Sequence, residues 1–120
     1  RASASTSAPC PFQRVIRHLV TPEGMGSKYL WVGTSSVDPG FTSNAHSHED
    51  QEEVFYCVQG RGRIRVDDEE MPLQPGATVF CPPQSVPQLI NDGDEVLKVV
   101  SAVAPPFIRA KYARDHLLKD

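Results

Sequence analysis

The chain is punctuated by 11 prolines and 8 glycines, and from Phe12 onward the runs between them are short. Those runs carry β-branched and aromatic residues rather than a helical period, so they read as short strands separated by tight turns. The strands are expected at residues 15–20, 29–34, 54–58, 63–67, 71–73, 77–81, 88–90 and 95–103. The turns have the chemistry such strands need, as at Thr21-Pro22-Glu23-Gly24, Asp38-Pro39-Gly40, Gln59-Gly60-Arg61-Gly62, Pro75-Gly76 and Asn91-Asp92-Gly93-Asp94. Residues 63–67 are expected to pair with residues 54–58 as a hairpin. Many short strands at this spacing point to an all-β barrel or sandwich, in which closure removes unpaired edges. A single helix is expected at residues 108–118, where Ile108, Tyr112, Leu117 and Leu118 fall near one face.

Chemistry-bearing residues concentrate between Gly40 and Gly60. Residues alternate faces along a strand, so Thr42, Asn44, His46 and His48 share one side, and the two imidazoles can reach one ion from one wall. Glu53 can face them from the next strand, and Glu53, Phe55 and Cys57 should share its inward side. Imidazole suits zinc, copper, iron and nickel, and the carboxylate extends the choice to harder ions such as manganese.

Gly40, His46, His48, Glu53 and Gly60 together resemble the first motif of the cupin family at every position. The second cupin motif is matched by Gly76, Pro82 and Asn91 at the right spacing, with Gln84 where the pattern has its middle glycine and with no histidine. Exact spacing puts Pro87 at the histidine position, whereas the local run Val86-Pro87-Gln88 offers Gln88 instead. The resemblance extends from about Val15 to Val103. It implies a double-stranded β-helix, or jelly-roll barrel, and one divalent transition metal held by His46, His48 and Glu53. Iron is the first choice, with Mn, Ni, Zn or Cu as alternatives. Two histidines and a carboxylate form the facial ligand set of non-haem iron oxygenases, which leaves positions open for substrate and oxygen. Gln88 would then position substrate or a metal-bound water.

The implied function is that of a metal-dependent enzyme working on a small oxygenated molecule by dioxygenase-type chemistry. Isomerase, decarboxylase, lyase and cyclase reactions are the alternatives within the family, and a non-catalytic binding or sensing barrel is the alternative outside enzymes. Trp31, Phe41, Phe55 and Cys57 are candidate pocket residues, although aromatic residues in strands are more often core.

Composition narrows the partners. With 120 residues the chain has the length of one domain, taken as residues 12–120 after a leader at 1–11 rich in Ser, Ala and Pro. A formal charge of -3 without a basic cluster argues against nucleic acid, and no apolar stretch approaches the ~20 residues that span a bilayer. The 3 cysteines, Cys10, Cys57 and Cys81, make no disulfide framework, so a cytoplasmic setting is expected. Cys57 and Cys81 read as small apolar filler, Asn91 as a turn residue, and His18 and His116 as surface residues. A homodimer is expected from family habit, through an edge strand or the N-terminal segment.

Overall fold

A computed structural model describes residues 14–43 and 50–106 of the chain. Its elements, in order, are β1 (Arg14–Val20), the single helical turn α1 (Pro22–Met25), β2 (Trp31–Val37), β3 (Glu52–Gln59), β4 (Gly62–Val66), β5 (Glu69–Leu73), β6 (Thr78–Cys81), β7 (Pro87–Ile90) and β8 (Leu97–Ala104). They form two antiparallel sheets, one in the order β1-β2-β8-β3-β6 and one in the order β5-β4-β7. This is the all-β architecture that the spacing of turns implies, arranged as the jelly-roll that the family resemblance implies. Among the described residues no helix is long and apolar enough to cross a membrane. The helix expected at 108–118 and the leader at 1–11 lie outside the described residues.

Each strand alternates, and the alternation sets the core. The five-stranded sheet sends Val37, Phe55, Cys57, Val79, Leu97 and Val99 inward, and the three-stranded sheet answers with Ile64, Leu73 and Leu89. Full burial of a branched aliphatic or aromatic side chain contributes about 1.5–3 kcal/mol, so this interdigitated set is the main stabilising term.

The connection after β3 departs from the expected hairpin. β3 pairs with β6 and β8, whereas β4 pairs with β5 and β7, so the chain changes sheets between residues 59 and 62. The backbone explains the crossover. The β3 register slips between Cys57 and Gln59, and Gly60 follows in the left-handed region at φ 85. A Cβ on Gly60 would stand 2.3 Å from the Val96 carbonyl oxygen, so only glycine can make this corner. The true hairpin is β4–β5, closed by Asp67 at φ 55, whose carboxylate accepts a hydrogen bond from the Val86 amide at 2.9 Å.

β2 begins two residues later than expected and runs on through Ser35 and Ser36 to Val37, because its hydrogen bonds come from β1 and β8 rather than from local propensity. Asn91 behaves as the turn residue it was taken for. Buried to 1% exposure, it donates to the carbonyls of Val37 (2.8 Å) and Glu95 (2.9 Å) and accepts from the Gly93 amide (3.0 Å), tying the end of β2 to the loop before β8.

Gly33 has a packing role. The Trp31 indole folds across it, and a Cβ there would meet Trp31 Cη2 at 2.2 Å and the Arg17 carbonyl oxygen at 2.6 Å. Gly33→Ala should therefore destabilise the fold by about 1–3 kcal/mol, the usual cost of overpacking. Urea denaturation followed by Trp31 fluorescence would read it; an unchanged midpoint would mean that the indole does not rest on residue 33.

Candidate metal centre

The barrel's inner wall can be read row by row from the strand registers. Trp31 pairs with Val103, Val103 with Glu53, and Glu53 with Cys81, so these four side chains form one row across β2, β8, β3 and β6. The next row is Gly33, Ser101, Phe55 and Val79. Glu53 (6% exposed), Phe55 (4%) and Cys57 (0%) share the inward side of β3, as period-two alternation requires. A carboxylate is thus delivered to an otherwise mostly apolar wall. His46 and His48 lie outside the described residues. Among the described residues no three His, Cys, Asp or Glu side chains converge into a metal-binding group.

The segment leading to the histidines is placed beside β7. The Asn91 amide donates to the Phe41 carbonyl at 3.0 Å, the Ser43 amide donates to the Leu89 carbonyl at 2.9 Å, and Thr42 bridges to Ile90. Ser43, itself 2% exposed, caps this contact with its hydroxyl, which accepts from the Leu89 amide at 2.8 Å.

β7 answers the question left open by the second motif. Pro87 and Leu89 are buried, and they pair with the inward-facing Val66 and Ile64 of β4. Gln88 has the opposite parity: it pairs with exposed Arg65, is half-buried, and donates through Nε2 to the Ser43 carbonyl at 3.0 Å. Pro87, without a side-chain donor, therefore holds the inward place that exact spacing gave it. Gln88 instead ties β7 to residue 43, which corrects the expectation that it faces the site. Proline is tolerated there because it is the first residue of its strand. Gln84, where the motif has glycine, adopts φ 70, a conformation that costs a side-chain residue about 1–2 kcal/mol. Gln84→Gly should raise unfolding stability by about 1 kcal/mol; a lower melting temperature for the variant would contradict this reading.

The four pocket candidates fall into two groups. Phe55 and Cys57 are sealed in the main core, and Phe41 packs half-buried against it. Trp31 forms a second cluster with Val103 and Ile16, and its Nε1 donates to His18 Nδ1 at 3.0 Å while the rings meet edge to face at 5.4 Å. His18 is thus half-buried and engaged, not the surface residue expected from its isolation in the sequence. The signal that could have shown this is parity: Ile16, His18 and Val20 share the inward side of β1. Ser101, 1% exposed, was also missed; its hydroxyl has no hydrogen-bond partner and stands on the inner wall between Gly33 and Phe55.

Both described cysteines are free and buried. Burial raises the Cys57 thiol, and burial together with the negative charges of Glu53 and Asp67 pushes Cys81 up to about 12. Beside Glu53, then, stands a neutral thiol rather than a competing anion.

The sequence from residue 33 to residue 103 matches the family model described as a cupin domain. The chain belongs to the cupin family. Its relatives include an uncharacterised protein of Methanocaldococcus jannaschii, 28% identical over 93 residues that cover 78% of this chain and 74% of that protein. Another is the polyketide synthase protein CurC of Streptomyces cyaneus, 30% identical over 90 residues, 75% of this chain and 58% of that protein. A solved structure from Thermus thermophilus superposes with a TM-score of 0.71 at 22% identity, over 79% of this cupin and 86% of that chain.

The Cys81 environment gives this cupin a signed pH dependence. A thiol whose folded pKa lies above its unfolded value of 9.0 keeps its proton on folding, so its contribution is intact below pH 9 and is lost as pH rises toward about 12. Stability should therefore decline across that window, and Cys81→Ala should show a shallower decline than the parent. Equal slopes for the two proteins in urea titrations at several alkaline pH values would contradict the assignment.

Proposed function

We propose that this cupin is a metal-dependent enzyme acting on a small oxygenated molecule, with dioxygenase-type chemistry when the metal is iron. The observation that carries the reading is the inward place of Pro87 opposite a wall that presents Glu53. The donor set left to the barrel is His46, His48 and Glu53, two imidazoles and one carboxylate, which suits a divalent transition ion and keeps part of its coordination sphere for other ligands. Glu53 fits the part, since its carboxylate is buried on the inner wall and its neighbour Cys81 stays neutral. A bound ion of this kind supplies Lewis acidity toward substrate oxygens and, as iron, reactivity toward dioxygen.

The remaining work falls to the chain itself. Phe55, Val79, Val103 and Trp31 keep water from the wall around Glu53, which strengthens any charge interaction made there. The hydrogen bond to His18 fixes the indole plane, and Nδ1 of His18, being the acceptor, carries no proton. Ser101 offers a hydroxyl on that wall. CurC is named as a polyketide synthase protein, and polyketides are oxygenated small molecules, which supports this substrate class.

Elemental analysis of the full chain, followed by oxygen-electrode assays of the iron-loaded protein with enediols, catechols and 1,3-diketones, tests the reading. Stoichiometric iron and substrate-dependent oxygen uptake are expected. Bound metal without oxygen uptake would replace the dioxygenase with one of the family's other reactions or with a binding barrel. A chain without metal that gains it through Pro87→His would mean that the barrel binds ligands unaided.

Two substitutions sharpen the test. His46→Ala and Glu53→Gln should each weaken metal affinity by more than the ~10–100-fold that loss of an outer-sphere partner costs, with the fold intact. Trp31, the chain's 1 tryptophan, lies two strands from Glu53, on the order of 10 Å away, so quenching of its fluorescence by added Cu2+ or Co2+ reports binding without any turnover. Quenching that survives in both variants would place the ion elsewhere.

A further inference from the structure

The strand edges of this barrel are guarded unequally. An unpaired edge invites another chain, and native edges that stay open carry charges or proline. Among the described residues β1 and β5 each pair on one side alone, and they carry Arg14 and Arg17, and Glu69, Glu70 and Pro72. β6 also pairs on one side, with β3, yet Thr78-Val79-Phe80-Cys81 holds no charge and no proline. The Cys57 amide donates to the Ala77 carbonyl at 2.9 Å, so residues 77, 79 and 81 turn their backbone polar groups toward β3. Thr78 and Phe80 turn theirs to the open side. A cavity of about 470 Å3 follows that edge, with Val79 and Phe80 from the two faces of β6 and Val66 and Met71 among its other walls. Its acidic lining is Asp67, Asp68 and Glu69, and among the described residues no basic side chain pairs with these three carboxylates.

We infer that residues 109–112 of the chain itself add to β6 as an antiparallel strand and occupy this cavity. Chain direction and reach select this occupant. β6 and β8 both run antiparallel to β3; Ala104, at the end of β8, stands beside Glu52, and the next residue, Glu53, pairs with Cys81 at the end of β6. A chain leaving β8 there must reverse to follow β6, which gives antiparallel pairing. The Gln51 side chain donates to the Pro105 carbonyl at 2.9 Å, so the path starts against the beginning of β3, on the way to β6. The place beyond β6 is three strand spacings from β8, about 14 Å, and the five extended steps from Ala104 to Arg109 reach about 16 Å.

Side-chain chemistry agrees. Residues 108–112 alternate strictly, Ile108, Ala110 and Tyr112 against Arg109 and Lys111, which is the period of a strand. Ala110 and Tyr112 suit the apolar wall of Val66, Met71 and Val79, and main-chain hydrogen bonds to Thr78 and Phe80 supply the rest, as in other strand additions. Asp67 stands close enough to Cys81 for its charge to push that thiol up, so the acidic turn borders the end where Arg109 and Lys111 enter. A helix over 108–118 would use the same Ile108 and Tyr112 but would leave the Thr78 and Phe80 amides without protein partners. The added segment also crosses the barrel end that carries Glu53, and so forms part of the rim of the candidate metal centre.

Amide hydrogen exchange of the full chain, read residue by residue by NMR, tests the assignment. The Val79 amide, bonded to β3, is protected whatever covers the edge and serves as the internal standard. Thr78 and Phe80 should be protected as well, equally at every protein concentration. They should lose that protection in the double variant Arg109→Glu/Lys111→Glu and in Tyr112→Asp, substitutions that lie outside the described barrel. Asp68→Lys with Glu69→Lys should release the same two amides, and combining those changes with Arg109→Glu and Lys111→Glu should return their protection. Fast exchange of Thr78 and Phe80 in the unmodified chain would overturn the inference, and so would protection that survives in both the Arg109→Glu/Lys111→Glu and Tyr112→Asp proteins. Protection that disappears on dilution would overturn it in favour of a strand supplied by a second copy. Failure of the combined reversal to restore protection would overturn the charge pairing.

Discussion

The parity of β3 decides what this barrel can do. β3 is hydrogen-bonded on both sides, to β6 and to β8, so its register is fixed at two ladders at once. A one-residue slip would exchange every side chain between faces, sending Glu53, Phe55 and Cys57 to solvent and Val54 and Tyr56 into the core. Burying Phe55 and Cys57 is therefore the same event as aiming Glu53 inward. The hydrophobic energy of the core positions the carboxylate, and no separate device is needed to hold it there.

That coupling explains how much could be read from the sequence alone. A two-residue period makes Glu53, Phe55 and Cys57 a set wherever the strand lies, and left-handed turns call for glycine at Gly40, Gly60 and Gly76, all of which have positive φ. Both are local facts. What was not legible is non-local. Residues 59–62 look like a hairpin turn in composition, yet the bulge at the end of β3 and the close approach of Gly60 to Val96 send the chain to the other sheet. His18 looked isolated because its partner is 13 residues away on the next strand, held there by pairing that no short pattern announces. The face of Gln88 likewise depends on which residue of β7 pairs with Val66, a register that only the assembled sheet defines.

The surroundings of Glu53 give the inner wall a defined electrostatic character. Its neighbours on the row are Val103 and a thiol pushed up to about 12, so at neutral pH the carboxylate is not joined by a thiolate. Thiolate is a soft donor suited to zinc and copper(I), whereas imidazole suits zinc, copper, iron and nickel and carboxylate extends the range to harder ions. Burial of Cys81 thus keeps a soft anionic donor off the wall that carries Glu53.

The second motif separates two roles that are easily merged when it is read as a single pattern. Gly76 takes φ 96 after Pro75, and Asn91 spends its amide on two carbonyls and one backbone amide, so both have purely structural work in this chain. Pro87 occupies the donor's place without disturbing either, because the first residue of β7 needs no amide hydrogen for its pairing with Val66. The barrel can therefore close without a histidine on β7, and the number of protein donors becomes independent of the fold. The inward side of β7 is therefore free to vary without cost to barrel closure, and in this chain it carries a proline with no donor atom.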